Sequence, residues 1–319
     1  MNGPGKDPYE LATRNTVEVV TEEDLKGVLT RTRPRCYAGY EPSGEIHLGH
    51  LVTVNKLMDL QAAGFHVVVL LADLHAFLNR KGTLDEVEAL ARYNRACFEA
   101  LGLSGVEYVT GSELQLSPEY EILVLRLAQQ ITLNRAQRSM DEVGRQMEHP
   151  TVSQMIYPIM QMVDIARLKV NVAVGGIDQR KIHMLAREFL PSVGTDAPAC
   201  IHTPILLGLD GEKMSSSKGN YISVAEKEED IRRKLQKAFC PQGQVEENPV
   251  LQILELHVFP RVGPVTVKRQ AKFGGDRTFG TYGEIAAAYA AGEVHPMDLK
   301  TTAAAYLVEV LRPVRERLG

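Results

Sequence analysis

The sequence predicts an α/β fold built on a doubly wound parallel sheet, with an inserted helical segment and a small, mainly helical C-terminal domain. Three observations lead there. A short apolar strand at 36–40 passes through the turn Pro42-Ser43-Gly44 into a helical pattern of Leu48, Leu51, Val54, Leu57 and Met58. A continuous run of β-branched residues and leucine at 65–72 has the composition of a strand buried on both faces. Strands and helices then alternate to about residue 225, where the alternation stops.

Taken in order, residues 8–32 are expected to form two short helices. Thr21 followed by Glu22, Glu23 and Asp24 gives the second a hydroxyl cap and first-turn acids. Gly64 ends the helix that begins near Leu48. After the strand at 65–72 come helices at 73–78 and 84–101 and a short strand at 106–109. This is a Rossmann-like order, with its ligand site expected at the carboxyl ends of the strands. It lacks G-x-G-x-x-G, so a nicotinamide dinucleotide is not expected. Residues 118–144 read as helix throughout and interrupt the alternation. This insertion, about 115–150, suits an interface or an extra packing layer. A helix at 151–168 is expected to break at Pro158. The next buried strand, 170–174, ends in Gly175-Gly176, and Asp178 opens a helix that runs to Leu190. Residues 191–199 read as a loop and 205–209 as the last strand. Helices at 228–239, 249–257, 282–291 and 298–318 make the C-terminal domain, 226–319, which carries the basic residues Arg232, Arg233, Lys234, Lys237, Lys268, Arg269 and Lys272.

The chain is 44% hydrophobic with a formal net charge of −4, so any nucleic-acid partner needs a local basic face. Its four cysteines, Cys36, Cys97, Cys200 and Cys240, form no C-x-x-C pair, which points to a reducing compartment and no tightly bound metal. The N-terminal MNGPGKDPYE has no apolar signal core, and the longest apolar run is too short to span a bilayer. A soluble cytoplasmic protein with no membrane partner is expected.

Four features carry chemistry. The strand–turn–helix at 36–58 puts a helix N-terminus at a sheet edge, a ready phosphate site, and Gly39 and Gly44 leave room for a planar base or ribose. His47 and His50 can face one ligand. A metal, helix-capping surface histidines and charge stabilisation on a triphosphate are the three readings of that pair. Gln154, Tyr157, Gln161 and Asp164 form a polar stripe on an apolar helix, either a hydrogen-bonded core network or a pocket for a small polar molecule. Gly175-Gly176 followed by Asp178 suits a ribose. The segment 210–220, with Lys213, Lys218 and three serines, suits a polyphosphate grip or a solvated linker.

His47-Leu48-Gly49-His50 and Lys213-Met214-Ser215-Ser216-Ser217, in that order on such a sheet, resemble the two signatures of the class I aminoacyl-tRNA synthetases. The likeness extends along nearly the whole chain. Tyr37 with Gly39-Tyr40-Glu41-Pro42-Ser43-Gly44, Leu70-Leu71-Ala72-Asp73-Leu74-His75, Ile156-Tyr157-Pro158-Ile159-Met160-Gln161, Val174-Gly175-Gly176-Ile177-Asp178-Gln179 and His295-Pro296-Met297-Asp298-Leu299-Lys300 are similar to the archaeal type of tyrosyl-tRNA synthetase.

The resemblance implies ATP-dependent charging of tRNA(Tyr) with L-tyrosine through a tyrosyl-adenylate, with Mg2+ accompanying ATP. It implies that His47, His50, Lys213 and Ser216 act on the phosphates. Gly39, Gly49, Gly176, Asp178, Met214, Ser215, Ser216 and Ser217 would line the ATP site. Tyr37 and Asp164 would contact the phenolic hydroxyl, and Tyr157, Gln161, Gln179 and Glu41 the ammonium. Arg138 and Arg180 would read the first base pair of the acceptor stem, and Phe273, His295 and Asp298 the anticodon. It also implies a homodimer through the inserted helices, a catalytic domain at 1–225 and an anticodon-binding domain at 226–319. Two positions depart from the general signatures. Ser216 stands where a lysine is usual, leaving Lys213 and Lys218 as the nearest cations, with Lys213 the first choice for pyrophosphate. Leu48 replaces isoleucine, a volume-conserving change. The rival readings are a tryptophanyl-tRNA synthetase and a catalytically silent RNA-binding paralogue.

Overall fold

The computed structural model describes residues 7–143, 149–212, 214 and 218–318. The chain divides into two compact units. The first comprises Met1–Gly44, Lys56–Ala96 and Leu103–Pro204, the second Glu45–Asn55, Cys97–Gly102 and Ile205–Gly319.

The first unit is a six-stranded sheet flanked by helices. Its strands are β1 (Glu18–Val20), β2 (Arg35–Tyr40), β3 (His66–Leu71), β4 (Glu107–Thr110), β5 (Val172–Gly176) and β6 (Ala199–Thr203), in the order β1-β6-β5-β2-β3-β4. All neighbours are parallel except the edge strand β1, which runs antiparallel to β6. β2 pairs with β3 on one side and β5 on the other, with Tyr37 opposite both Val68 and Ala173. This is the switch point of a doubly wound sheet, where a crevice opens beyond the carboxyl ends of the strands. The fully buried Val68, Met162, Val163, Ile165 and Ala173 pack the core beneath it.

Three expectations need correction. The last strand of this sheet is β6, not 205–209, which forms no strand. Cys200, Ile201 and His202 are fully buried between β5 and β1, but Pro198 and the short length of the run give it the look of a loop. β1, at three residues, is too short to show a period. The helix Val152–Arg167 runs through Pro158 without a break, because the proline ring is itself buried in the core and repays part of the missing backbone bond. The insertion is two helices, Pro118–Ala128 and Leu133–Met140, rather than one continuous run; its residues 144–148 lie outside the described residues.

In the second unit the start of the helix Leu48–Ala62 is strapped to a later segment. Leu48 N–H donates to the Ile222 carbonyl (3.1 Å), Val224 N–H donates to the Ile46 carbonyl (2.9 Å), and His47 bridges Ser223. Helices at Glu228–Lys237, Pro249–Ile253, Tyr282–Ala290 and Pro296–Leu318 dominate the rest. A two-stranded hairpin, β7 (Val265–Val267) with β8 (Arg277–Phe279), was not foreseen in a domain read as helical.

Candidate active site

In the first unit, a buried polar cluster sits at the carboxyl end of β2. Tyr37 on β2 and Asp164 on the helix Val152–Arg167 are both almost fully buried. Asp164 Oδ1 accepts from Gln115 Nε2 (2.8 Å) and Tyr120 Oη (2.8 Å). Among the described residues its Oδ2 has no hydrogen-bond donor, and His75 Nε2, also buried and without a hydrogen-bond partner there, lies 3.6 Å away. The Gln115 amide also reaches His75 Nδ1 at 3.1 Å, so that nitrogen accepts and Nε2 carries the proton. Burial keeps His75 neutral, lowering it to about 4. Burial pushes Asp164 up to about 7, against the hydrogen bonds from Gln115 and Tyr120. Burial also raises the Tyr37 hydroxyl, which is hydrogen-bonded with Gln161. The result is one open acceptor beside a tyrosine hydroxyl in an otherwise apolar place.

A second group lies along the same helix. Tyr157 Oη donates to Glu41 Oε1 at 2.6 Å, and Asn79 Nδ2 donates to both Glu41 oxygens, at 3.1 and 3.3 Å. Lys81 Nζ stands 3.8 Å from Glu41 Oε2. Gln161 Nε2 donates to Gln179 Oε1 at 3.3 Å. These carboxylate and amide oxygens are acceptors suited to an ammonium group. Gln154 does not join them. It closes a capping box, its Oε1 accepting from Thr151 N–H at 3.0 Å, so the four-residue stripe supplies three pocket residues.

At the end of β5 the backbone turns tightly. A Cβ on Gly176 would fall 2.5 Å from Asp178 Oδ1, and one on Gly175 would fall 2.9 Å from the Gln179 side chain. Only glycine lets Asp178 and Gln179 approach this closely. Gly39 is exposed at the end of β2, where a Cβ would meet nothing closer than 3.8 Å, so the fold itself does not require glycine there.

The second unit holds the histidine pair. Gly49 N–H donates to His47 Nδ1 (3.1 Å) and His47 N–H donates to His50 Nδ1 (3.2 Å). The two rings are 4.0 Å apart, and Tyr221 stands 5.4 Å from His47. Burial lowers His47 to about 4, so at neutral pH it is an uncharged ring with a proton on Nε2, a hydrogen-bond donor rather than a cation. A Cβ on Gly49 would lie 2.9 Å from His47 Cε1 and 3.8 Å from Met214 Sδ. Met214, from the second signature, therefore packs against the first. Lys213, Ser215, Ser216 and Ser217 lie outside the described residues.

The remaining candidates are spread over both units. In the first, Arg138 is exposed on the helix Leu133–Met140, and Arg180 opens the helix Arg180–Phe189 with its Nε on Glu18. In the second, Phe273 is 62% exposed with the Lys272 ammonium 4.8 Å above its ring. His295 is exposed and its Nδ1 accepts from Met297 N–H at 3.2 Å; Asp298 is half-buried one turn into that helix. Among the described residues, no group of three or more His, Cys, Asp or Glu could hold a metal, and no helix is long and apolar enough to cross a membrane.

Sequence reasoning missed Gln115, Tyr120 and Asn79. His75 lay in a segment noted for its likeness but received no role. Gln115 sits on a five-residue helix, Gly111–Gln115, too short for any periodicity to mark one face as buried.

A family model described as tRNA synthetases class I (W and Y) matches residues 29–312. The tyrosine–tRNA ligase of Methanoculleus marisnigri is 69% identical over 97% of this chain and 98% of its own length. That of Methanospirillum hungatei is 68% identical over 98% of this chain and 99% of its own. The crystal structure of a tyrosyl-tRNA synthetase from Archaeoglobus fulgidus, complexed with L-tyrosine, superposes with a TM-score of 0.96 at 58% identity, covering 98% of this chain and 99% of that one. A tryptophanyl-tRNA synthetase from Aeropyrum pernix, 23% identical with a TM-score of 0.76 over 93% of this chain and 81% of that one, shares the fold. The chain belongs to the class I tRNA synthetases of the tryptophan and tyrosine family.

Proposed function

We propose that the chain is a tyrosine–tRNA ligase, which joins L-tyrosine to tRNA(Tyr) in two steps at the expense of ATP. The observation that carries the choice of amino acid is Asp164 Oδ2, a buried carboxylate oxygen without a donor. A phenolic O–H supplies that donor while its oxygen accepts from the Tyr37 hydroxyl, whereas an indole N–H can only donate and leaves Tyr37 without an acceptor. The likeness to tyrosine–tRNA ligases over almost the whole chain supports the same choice.

In the first step a carboxylate oxygen of tyrosine attacks the α-phosphorus of ATP, and the bond to the bridging oxygen breaks with loss of pyrophosphate. In the second, the terminal ribose hydroxyl of tRNA attacks the tyrosyl carbonyl, loses its proton, and AMP leaves. Both steps ask the protein chiefly for placement and charge stabilisation. Tyr37 and Asp164 hold the phenol. Tyr157, Gln161, Gln179 and Glu41 hold the ammonium. Asp178 takes the ribose, with Gly39, Gly49 and Gly176 giving the nucleotide room. His47 and His50 donate to the phosphates, and Met214, Ser215, Ser216, Ser217 and Lys213 close over them. Mg2+ enters as the counter-ion of the triphosphate. Arg138 and Arg180 take the acceptor end of tRNA, and Phe273, His295 and Asp298 the anticodon, the aromatic ring stacking on an unpaired base. Residues 1–225 thus form the catalytic part and 226–319 the anticodon-binding part, at work in the cytoplasm where tRNA is charged.

A homodimer belongs to this reading. In the first unit an apolar groove of about 400 Å³ is lined by Leu74, Phe77, Leu116, Val124, Leu125 and Ile156. Leu116 and Leu125 are 66% and 58% exposed, a patch of the kind that a partner surface covers. ATP–pyrophosphate exchange tests the proposal: exchange should depend on tyrosine, and exchange with tryptophan alone would overturn it.

A further inference from the structure

We infer that Glu18 is a positioning residue for recognition of the tRNA acceptor end, holding Arg180 by Nε so that its two Nη groups remain a free, oriented fork. The inference rests on the role proposed above for Arg180.

Glu18 lies on the edge strand β1, in register with His202 on β6. Arg180 Nε donates to both of its carboxylate oxygens, at 2.9 and 2.8 Å. A guanidinium has five N–H donors in one plane. Glu18 engages only the one on Nε, and among the described residues the Nη groups have no partner. The Arg180 side chain is 44% exposed. A fork of parallel N–H groups fits a planar pair of acceptors, such as the O6 and N7 edge of a guanine. Arg180 also directly follows Gln179 and Asp178, the residues proposed to hold the ammonium and the ribose.

Glu18 is itself held from behind. His202 Nδ1, fully buried, lies 2.8 Å from Glu18 Oε2, and its Nε2 lies 3.1 Å from His183 Nδ1, with the two rings stacked. A proton on His202 Nδ1 serves the carboxylate and leaves Nε2 to accept from His183 Nδ1–H. Every link then has one donor and one acceptor, ending on a carboxylate. Burial opposes that charge, yet the bonds from Arg180 and His202 keep Glu18 below the ordinary carboxylate range. The carboxylate therefore acts as a fixed seat, and the arginine presents its outer edge already ordered.

The test uses the full chain, a tRNA(Tyr) transcript and a transcript with its first base pair reversed. Glu18→Gln should lower the preference for the native pair, as a ratio of kcat/KM in charging, roughly tenfold. Tyrosine-dependent ATP–pyrophosphate exchange should stay within about twofold of the parent. Charging of the reversed transcript should not weaken, since losing a negative charge favours RNA. An unchanged ratio in Glu18→Gln overturns the inference. Parallel loss of exchange and charging in Glu18→Gln and Glu18→Asp also overturns it, and makes Glu18 a strut of the sheet edge. Arg180→Ala separates the two claims. If it keeps the parent ratio, the role of Arg180 fails and the inference with it. If it loses the ratio while Glu18→Gln keeps it, only the inference fails. Equal weakening of both transcripts in both variants would assign the fork to a phosphate and overturn the base-edge fit.

Discussion

Gln115 Nε2 lies 2.8 Å from Asp164 Oδ1 and 3.1 Å from His75 Nδ1, so one amide fixes both Asp164 and the histidine that borders its Oδ2. Asp164 is thus an acceptor braced through Oδ1, with Oδ2 left to accept from elsewhere. Asp164→Ala removes the acceptor and should let phenylalanine compete. Leaving a buried polar group unpaired costs about 1–3 kcal/mol, or roughly 10- to 100-fold in discrimination. ATP–pyrophosphate exchange with tyrosine and with phenylalanine measures the ratio. Parent-like discrimination would place the acceptor elsewhere.

The proton on Asp164 gives the site a pH dependence. Its carboxyl titrates near 7 because burial disfavours the charge. Only the ionised form offers Oδ2 as a pure acceptor, so tyrosine affinity should fall as pH drops through about 7. Gln115→Leu removes a hydrogen bond that favours the ionised form, so the midpoint should move upward. Equilibrium dialysis with labelled tyrosine between pH 5.5 and 8.5 follows it. The same midpoint in both proteins would show that Gln115 does not hold the carboxylate.

Stability should also fall as pH drops, but over a lower window and through other groups. His47 and His75, each lowered to about 4, and His183 and His257, each lowered to about 3, are kept neutral by burial. Unfolded, each binds a proton near pH 6.5. The unfolded chain therefore carries more protons between about 3 and 6.5, and these groups make stability rise with pH through that window. Asp164, raised to about 7, works against them, since its folded form keeps a proton that the unfolded form has lost. Four histidines outweigh one carboxyl, so urea midpoints should fall steadily from pH 6.5 to pH 4. A flat profile would mean that these rings are hydrated or charged in the folded state.

The sequence revealed some of this arrangement and hid the rest, for physical reasons. β3 was legible because a strand covered on both faces must be apolar throughout. The helix carrying Asp164 was legible because a polar residue recurring at helical spacing among methionines and isoleucines stands out. β1 and the helix Gly111–Gln115 were not, because three and five residues are too few for a period. β6 was misplaced because buried His202 and Thr203 read as polar, although His202 is bonded to Glu18. Which polar residue caps a helix and which enters a pocket is settled by tertiary contacts, and so Gln154 was grouped with Gln161.

The exposed groove also yields a prediction. Leu116 and Leu125 stand at its rim. If the proposed homodimer forms through this face, Leu125→Asp should leave the fold intact and turn it into a monomer in sedimentation equilibrium at micromolar protein. Burying a carboxylate against an apolar partner costs more than a typical interface can absorb. A Leu125→Asp protein that sediments like its parent would remove this face from the interface.

The buried Lys56 provides the last test. It is 2% exposed, and its ammonium donates to the carbonyls of Leu11 (3.0 Å), Ala12 (3.1 Å) and Arg14 (2.5 Å), with Asp59 at 3.5 Å. These carbonyls end the short helix Pro8–Thr13, which has no basic residue in its own last turn. Burial lowers Lys56 to about 8, still charged at neutral pH. Lys56→Met keeps the length of the side chain and leaves the three carbonyls and Asp59 without that cation. Asp59 keeps Arg14 as its partner, so the loss comes from the buried carbonyls deprived of their donor and should be about 3 kcal/mol in urea unfolding. Lys26→Met supplies the contrast. Lys26 faces Glu22 at 3.5 Å with both side chains more than half exposed, and removing it should change nothing measurable. Equal effects at the two positions would mean that water reaches Lys56 and that the N-terminal helix does not depend on its ammonium.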